Sequence, residues 1–334
     1  MLSIALVERI RRKEVSMRLN QLAAAMATVD NNHAVLIYGP PKVGKTVLAA
    51  TAARIPEIAT IYWFDLENGV ESLLRMGLTD EEMAKIVVIK IRDTRESPIG
   101  IETMLKVFSS KPVKICEEHG RVDCAICTKD KKPFIDWDIS KCTHNDLVVV
   151  DSGSQLGDSA LAAACLGKPS MFKPTFDEYG MVNKWLGDCM SVVQQATHTN
   201  FVVITHEIPL EDNEGKDKIY PLMGSKAFSS KCAKFFGTVV YVHKKMNKHV
   251  AGSSSTYRGD LITGSRVNAM VEKGDKADMR SILIDAGILK LGSTSVPLAL
   301  PTAANESSAP ETVEATAPAK PLSLAEKLAL KKGK

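Results

Sequence analysis

Nearly unbroken apolar runs of strand length recur along the chain, at Ala34–Tyr38, Thr60–Phe64, Ile86–Ile91, Leu147–Val150 and Phe201–Thr205. None of them alternates between apolar and polar positions. A strand that alternates has one wet face, whereas a continuous apolar run predicts burial on both faces. Between the runs lie segments of helical periodicity: Thr46–Arg54, Gly69–Arg75, Ile101–Phe108 and Tyr179–Ala196. In the last of these Val182, Trp185, Leu186, Cys189 and Val193 fall on one stripe. Doubly buried strands alternating with amphipathic helices predict an α/β fold with a mainly parallel central sheet covered on both sides.

The pattern changes towards both ends. Residues 1–30 show roughly helical spacing of Ile4, Val7, Ile10, Leu19, Leu22 and Met26, which predicts an N-terminal helical segment. After Thr205, the runs Thr238–His243, Tyr257–Thr263 and Ser265–Glu272 predict hairpins that close the sheet edge, and Met279–Leu291 completes a core of residues 31–291. Residues 292–320 are rich in Ser, Thr, Ala, Pro and Glu without apolar periodicity, the composition of a disordered tether. Residues 321–334 differ again: Ser323 and Glu326 form a capping-box pattern ahead of Leu324, Leu328 and the basic Lys331, Lys332 and Lys334. A short amphipathic docking peptide is expected there, with a single-strand-binding protein or a neighbouring subunit as partner.

The chemistry starts where the first strand ends. Gly39-Pro40-Pro41-Lys42-Val43-Gly44-Lys45-Thr46 is a G-x₄-G-K-T string, entered by a strand and left by a helix. That context aims backbone N–H groups and a helix N-terminus at phosphates. It predicts a P-loop for ATP, with Lys45 on the terminal phosphates and Thr46 on Mg²⁺. The apolar strand Leu147–Val150 ends in Asp151, placed to join the Mg²⁺ shell. A second strand runs straight into the acidic turn Asp65-Leu66-Glu67. Glu67 is the candidate base for the attacking water, and Asp65 is its rival.

Composition adds exclusions. At 45% hydrophobic and 25% charged the chain has an ordinary globular profile, and its formal charge of +4 permits a nucleic-acid partner without arguing for one. No apolar run is long enough for a membrane span, and no secretory leader is evident, so a cytoplasmic protein without a membrane partner is expected. The seven cysteines then read as thiols or metal ligands. Within an insertion at residues 111–145 lie Cys116, His119, Cys124, Cys127, Cys142 and His144, which predicts a structural zinc site. The preferred donors are Cys116, His119, Cys124 and Cys127, because Gly120 eases a tight turn after His119. The alternative set combines Cys124 and Cys127 with Cys142 and His144.

The order of P-loop, strand–Asp-x-Glu, Val-Val-Val-Asp-Ser and Val-Val-Ile-Thr-His resembles the RecA/RadA recombinase core over about residues 30–290. The resemblance implies a RecA-like P-loop NTPase in which Glu67 is the catalytic base and His206 the γ-phosphate sensor. A histidine at the sensor position is similar to phage-encoded RecA-core ATPases of single-strand annealing and recombination. The resemblance also implies an oligomer whose sites lie between subunits, completed by a neighbour's cation; Arg258, Arg266 and Lys273 are the candidates. Two stretches match the family's DNA-contacting loops. One contains Lys168, Phe172, Lys173 and Phe176, and the other Lys216, Lys218, Tyr220, Lys226, Phe228 and Lys231. Met223-Gly224-Ser225-Lys226-Ala227-Phe228 looks like the family's Gly-Gly-Asn-Ala-Leu segment. The expected function is ATP hydrolysis coupled to single-stranded DNA in recombination or annealing. The competing classes are a helicase- or loader-type motor and a nucleotide-switched DNA-binding module with negligible turnover.

Overall fold

The computed structural model describes residues 34–289 apart from 110, 197, 213, 246–247, 254–258 and 268–276. The N-terminal segment, tether and tail peptide, and the candidates Arg258 and Lys273, lie outside the described residues.

The strand β1 (Ala34–Tyr38) leads through the P-loop into α1 (Lys45–Ala50), which tightens into a 3₁₀ turn at Thr51–Arg54. Next come β2 (Thr60–Asp65), a 3₁₀ segment at Gly69–Arg75, α2 (Asp80–Ala84), β3 (Ile86–Lys90) and α3 (Ile99–Val107). The insertion holds β4 (Val113–Cys116), α4 (Ala125–Lys129) and β5 (Phe134–Trp137). It is followed by β6 (Asp146–Asp151), α5 (Gly153–Ala164), α6 (Phe176–Gln195), β7 (Asn200–Glu211) and β8 (Asp217–Leu222). The domain ends with α7 (Lys226–Ser229), β9 (Thr238–Lys245), β10 (Lys248–Gly252), β11 (Gly264–Ser265) and α8 (Met279–Asp285).

The main sheet has the order β10-β9-β1-β7-β6-β2-β3, with β9 through β3 parallel along that path and β10 antiparallel at its edge. This is a RecA-like α/β sheet. Burial explains the unbroken apolar runs. In β1, Val35 and Ile37 enter a core shared with Leu48, Ala49, Ile282 and Leu283, while Leu36 and Tyr38 enter the opposite core with Met104, Leu156, Val182 and Leu186. Helices α1 and α8 thus cover one face, and α3, α5 and α6 cover the other. The insertion docks at the β2–β3 side: Trp137 packs edge-on against Tyr62 and Phe64, and its indole N–H donates to the Val107 carbonyl at 2.7 Å.

Three parts differ from the sequence reading. Residues 153–164, to which the sequence reading assigned no element, form α5. Strand β7 does not stop at Thr205; it leaves the sheet at His206 and pairs antiparallel with β8 through Glu211, so the second expected loop is a hairpin. Within Tyr257–Thr263 the described part makes an isolated bridge from Leu261 to Ile219, and of Ser265–Glu272 only the start is described, as part of β11.

Candidate functional site

Every candidate phosphate-handling residue comes from the C-terminal edge of the parallel strands. The register sets Tyr38 beside Thr205, Asp151 beside Ile204, and Asp65 beside Asp151, so the P-loop, Asp151, the Asp65–Glu67 turn and His206 converge. In the P-loop, Lys42 and Gly44 adopt positive φ of 61° and 88°. Gly39 is required by close approach as well, since a Cβ there would lie 2.0 Å from the Val242 carbonyl oxygen.

Lys45 is buried, and its ammonium donates to the Gly39 and Pro40 carbonyls at 2.9 and 2.7 Å. Burial brings its pKa down to about 8, against the opposing pull of Glu67 and Asp151. The Thr46 hydroxyl donates to Asp151 Oδ2 at 2.9 Å, so the two residues expected to hold Mg²⁺ already touch. The two acids of the second turn have separate jobs. Asp65 is buried and accepts the Gly69 and Val70 N–H groups at 2.9 and 3.4 Å, capping the 3₁₀ segment. Glu67 is left to face the site. Its Oε1 accepts a hydrogen bond from the Ser152 hydroxyl and lies 3.3 Å from His206 Nε2. His206 Nδ1 is 3.4 Å from the Lys45 ammonium. The tautomer that satisfies both neighbours accepts at Nδ1 and donates from Nε2. Burial raises the Glu67 carboxyl, but hydrogen bonds from His206 and Ser152 with the nearby Lys45 ammonium outweigh it and hold the pKa low.

Asp151 goes the other way. Burial, reinforced by Glu67 and Asp65 against the Thr46 hydroxyl and Lys45, pushes its carboxyl up to about 7. A carboxyl raised on folding keeps a proton that the unfolded chain, near 3.9, has released. Its contribution is therefore present below about pH 4, is lost as pH rises to about 7, and stays lost above that. Urea unfolding in Mg²⁺-free buffer should show this fall between pH 4.5 and 7.5, and Asp151→Asn should remove that part of the slope. Equal slopes in the two proteins would show that Asp151 ionises freely.

A second cluster lies in the insertion. Cys116 ends β4, His119 sits in the following turn, Cys124 caps α4, and Cys127 lies within it. Their donor atoms all lie within 4.8 Å of one another. His119 Nδ1 is 3.8 Å from the sulfurs of Cys116 and Cys124 and 3.3 Å from that of Cys127. A tetrahedral ion with metal–sulfur bonds of about 2.3 Å spaces its donors roughly 3.5–3.8 Å apart, so the residues fit zinc. Gly120 takes φ 70°, and a Cβ there would meet the Lys90 carbonyl at 2.2 Å. Burial opposes ionisation of Cys124, but the Cys127 N–H and the neighbouring thiols and imidazole bring it down to about 7; burial and the other sulfurs push Cys127 up to about 12. Crowded thiols that resist sharing charge are what a cation relieves. Cys142 and His144 do not join the cluster: the Cys142 thiol is raised to about 11 by burial and faces Thr199, and the His144 carbonyl accepts from Asn200.

Residues 31–267 match the family described as an AAA domain. The chain belongs to that family of P-loop ATPases. Among solved structures it is similar to the RadB recombinase, at 13% identity and TM-score 0.39 over 74% of this chain and 87% of that one. It is also similar to an ATPase of the type III secretion system of pathogenic bacteria, at 13% identity and TM-score 0.36, over 64% of this chain and 52% of that one. Curated proteins give no match.

Around this AAA-domain site the expected DNA-contacting residues divide. Phe176 is 95% exposed, and Met171 and Lys173 beside it are exposed too. Lys168 instead pairs with the buried Glu178 and covers the Phe172 ring at 4.3 Å. In the β7–β8 hairpin Lys216 and Lys218 pair with Glu214 and Asp212, and Tyr220 is half-buried. Lys226 and Lys231 are exposed, but Phe228 is buried and stacks on Phe235 at 6.0 Å. Phe228 is therefore a core residue, and its expected base contact is corrected. The guanidinium of Arg266 donates to the Lys234 carbonyl at 3.2 Å.

Sequence reasoning missed Ser152, Ser154 and His249. Ser154 accepts the His206 N–H at 2.8 Å and donates to the Leu222 carbonyl at 2.9 Å. His249 Nδ1 lies 2.6 Å from the Val43 carbonyl, anchoring the P-loop from β10. The two serines directly follow the Asp151 strand and were open to notice; nothing local marks His249.

Proposed function

We propose that the chain is a Mg²⁺-dependent ATPase that acts on single-stranded DNA in recombination or strand annealing, in the cytoplasm (a host cytoplasm if phage-encoded) and as a homo-oligomer. The convergence of Lys45, Thr46, Asp151, Glu67 and His206 on one sheet edge carries the hydrolysis. Backbone N–H groups of Gly39–Thr46 and the Lys45 ammonium bind the phosphates; Lys45 now spends its donors on loop carbonyls and is free to exchange them. Thr46 and Asp151 would hold Mg²⁺, which neutralises phosphate charge when bound. Glu67 orients water and accepts its proton, while His206 bridges the base and the phosphate-binding lysine. A cleft lined by Val47, Leu48, Arg54, His249 and Val250 beside α1 has room for the nucleoside. Zinc held by Cys116, His119, Cys124 and Cys127 would be structural, since four protein donors leave no open position for chemistry.

The DNA reading rests on the segment between α5 and α6. A cleft lined by Glu67, His206 and Asp158 adjoins a second one lined by Asp158, Arg95, Lys168 and Phe172. The exposed Met171, Lys173 and Phe176 stand beside it. Exposed apolar rings with interleaved cations suit stacked bases and a phosphate backbone. Single-stranded DNA should raise the steady-state ATPase rate several-fold, and Phe176→Ser with Lys173→Ser should remove that stimulation while leaving the basal rate intact. A rate indifferent to DNA would favour a protein-remodelling motor, and no turnover under any condition would favour a nucleotide-switched module.

A further inference from the structure

The turn that leaves β6 does more than present Asp151. Ser152 is 1% exposed and is the N-cap of α5, where its oxygen accepts the Gln155 N–H at 3.3 Å. The same hydroxyl donates its proton to Glu67 Oε1. A hydroxyl can do both at once, because its lone pairs serve the helix while its single O–H serves the carboxylate. Capping alone does not call for a serine, since aspartate and asparagine cap as well and glycine costs only a few tenths of a kcal/mol. An aspartate here would repel Glu67. The requirement that singles out a small hydroxyl is the donor.

The surroundings hold this hydroxyl in place. Ser152 is still extended, at φ −131° and ψ 161°, so its side chain points back across the strand ends towards the turn after β2. The next helical turn is fixed by Ser154, bonded to both His206 and Leu222. At Gly157 the helix lies directly on the turn after β8, where a Cβ would come within 2.2 Å of the Gly224 nitrogen. Glu67 has no equivalent support of its own, for it lies in the turn past β2 and Asp65 takes the helix-capping bonds.

We propose that Ser152 is a positioning residue for hydrolysis, its hydroxyl fixing the Glu67 carboxylate in the orientation needed to receive a proton from water. This rests on the role given to Glu67 above. Without the donor, Oε1 keeps only His206, and the carboxylate is free to turn towards the Lys45 ammonium.

The test is a double-mutant cycle on the full chain. Ser152→Gly removes the donor but preserves a tolerated cap, so it should fold with nearly unchanged Tm. Its kcat should fall roughly 10- to 100-fold, the scale of a misplaced catalytic group, with the KM for ATP changed less than about 2-fold. Ser152→Thr should restore most of kcat. In a Glu67→Gln background the Ser152→Gly change should cost little more, because the group it positions is gone. A Ser152→Gly protein with full kcat, or one whose loss is equal in both backgrounds, overturns the positioning role. Full turnover by Glu67→Gln alone overturns the base assignment itself, and the two failures are thereby told apart.

Discussion

A Glu67→Gln protein should bind ATP as the parent does and hydrolyse it roughly 10²- to 10⁴-fold more slowly, the range expected when a positioned base is removed. The argument is one of elimination inside a crowded site. Four candidate groups carry or share charge near the phosphates, and three are already committed. Asp65 caps the 3₁₀ segment through two backbone N–H bonds. Asp151 is buried and bonded to Thr46, which suits a metal ligand and leaves no face for water. Lys45 is a cation held by loop carbonyls. Glu67 alone pairs partial exposure with a pKa held low, so it enters the reaction ionised and able to accept a proton. Glutamine keeps the shape and the hydrogen bond from Ser152 but cannot take the proton, so binding and turnover should separate. A titration with a fluorescent ATP analogue and a single-turnover assay measure the two. If Asp65→Asn shows a similar loss of turnover with unchanged unfolding, and Glu67→Gln shows none, the base is Asp65.

What the sequence disclosed follows from how strongly each feature constrains a short stretch. The strands β1 and β6 are buried on both faces, and that alone demands the apolar runs that gave them away. The P-loop and Asp151 were legible because they combine a strand end with a charge, a pairing that open α/β sheets reserve for ligands. Helix α5 was not, for its sequence is mostly Gly, Ala and Ser, residues that serve turns and linkers as readily as helices; their smallness reflects close packing on the turn at Gly224. The β7–β8 hairpin was read as a loop because charged residues around Asp212–Lys218 mask the pairing, which a strand that has left the sheet can afford. Phe228 shows the opposite error. Flanking lysines made it look like a stacking ring, but burial depends on residues such as Phe235 and Leu186 that come from other elements. Ser152 and His249 act across 85 and 206 residues of chain, distances that no local pattern encodes.

The other large effect belongs to the insertion. Cys127→Ser should abolish zinc binding and loosen β4, α4 and β5, while Cys142→Ser should leave one zinc per chain. The end of the lobe that carries the cluster has little else of its own to hold it, whereas Ile115, Val122 and Trp137 at the other end are buried in the main core. Its private apolar cluster is Cys116, Cys124 and Cys127 with Phe134 packed against them, so the would-be ligands are themselves most of that core. A structural zinc in a small motif contributes about 10–16 kcal/mol of apparent binding free energy at neutral pH, far more than those few side chains can supply by burial. Without the ion, Cys127 resists ionisation and the remaining thiols are left crowded around an imidazole. Outside the cluster the lobe stays attached through Trp137 and through the Thr103 hydroxyl, which donates to the Gly120 carbonyl at 3.0 Å. The loss should therefore be local: the ATPase core keeps its unfolding transition, and hydrogen exchange rises in residues 113–137. Elemental analysis with exchange measurements on both variants decides it. Zinc retained by Cys127→Ser but lost from Cys142→Ser would reject the four-residue cluster. A chain purified without metal, with the lobe fully protected, would show that packing alone maintains it.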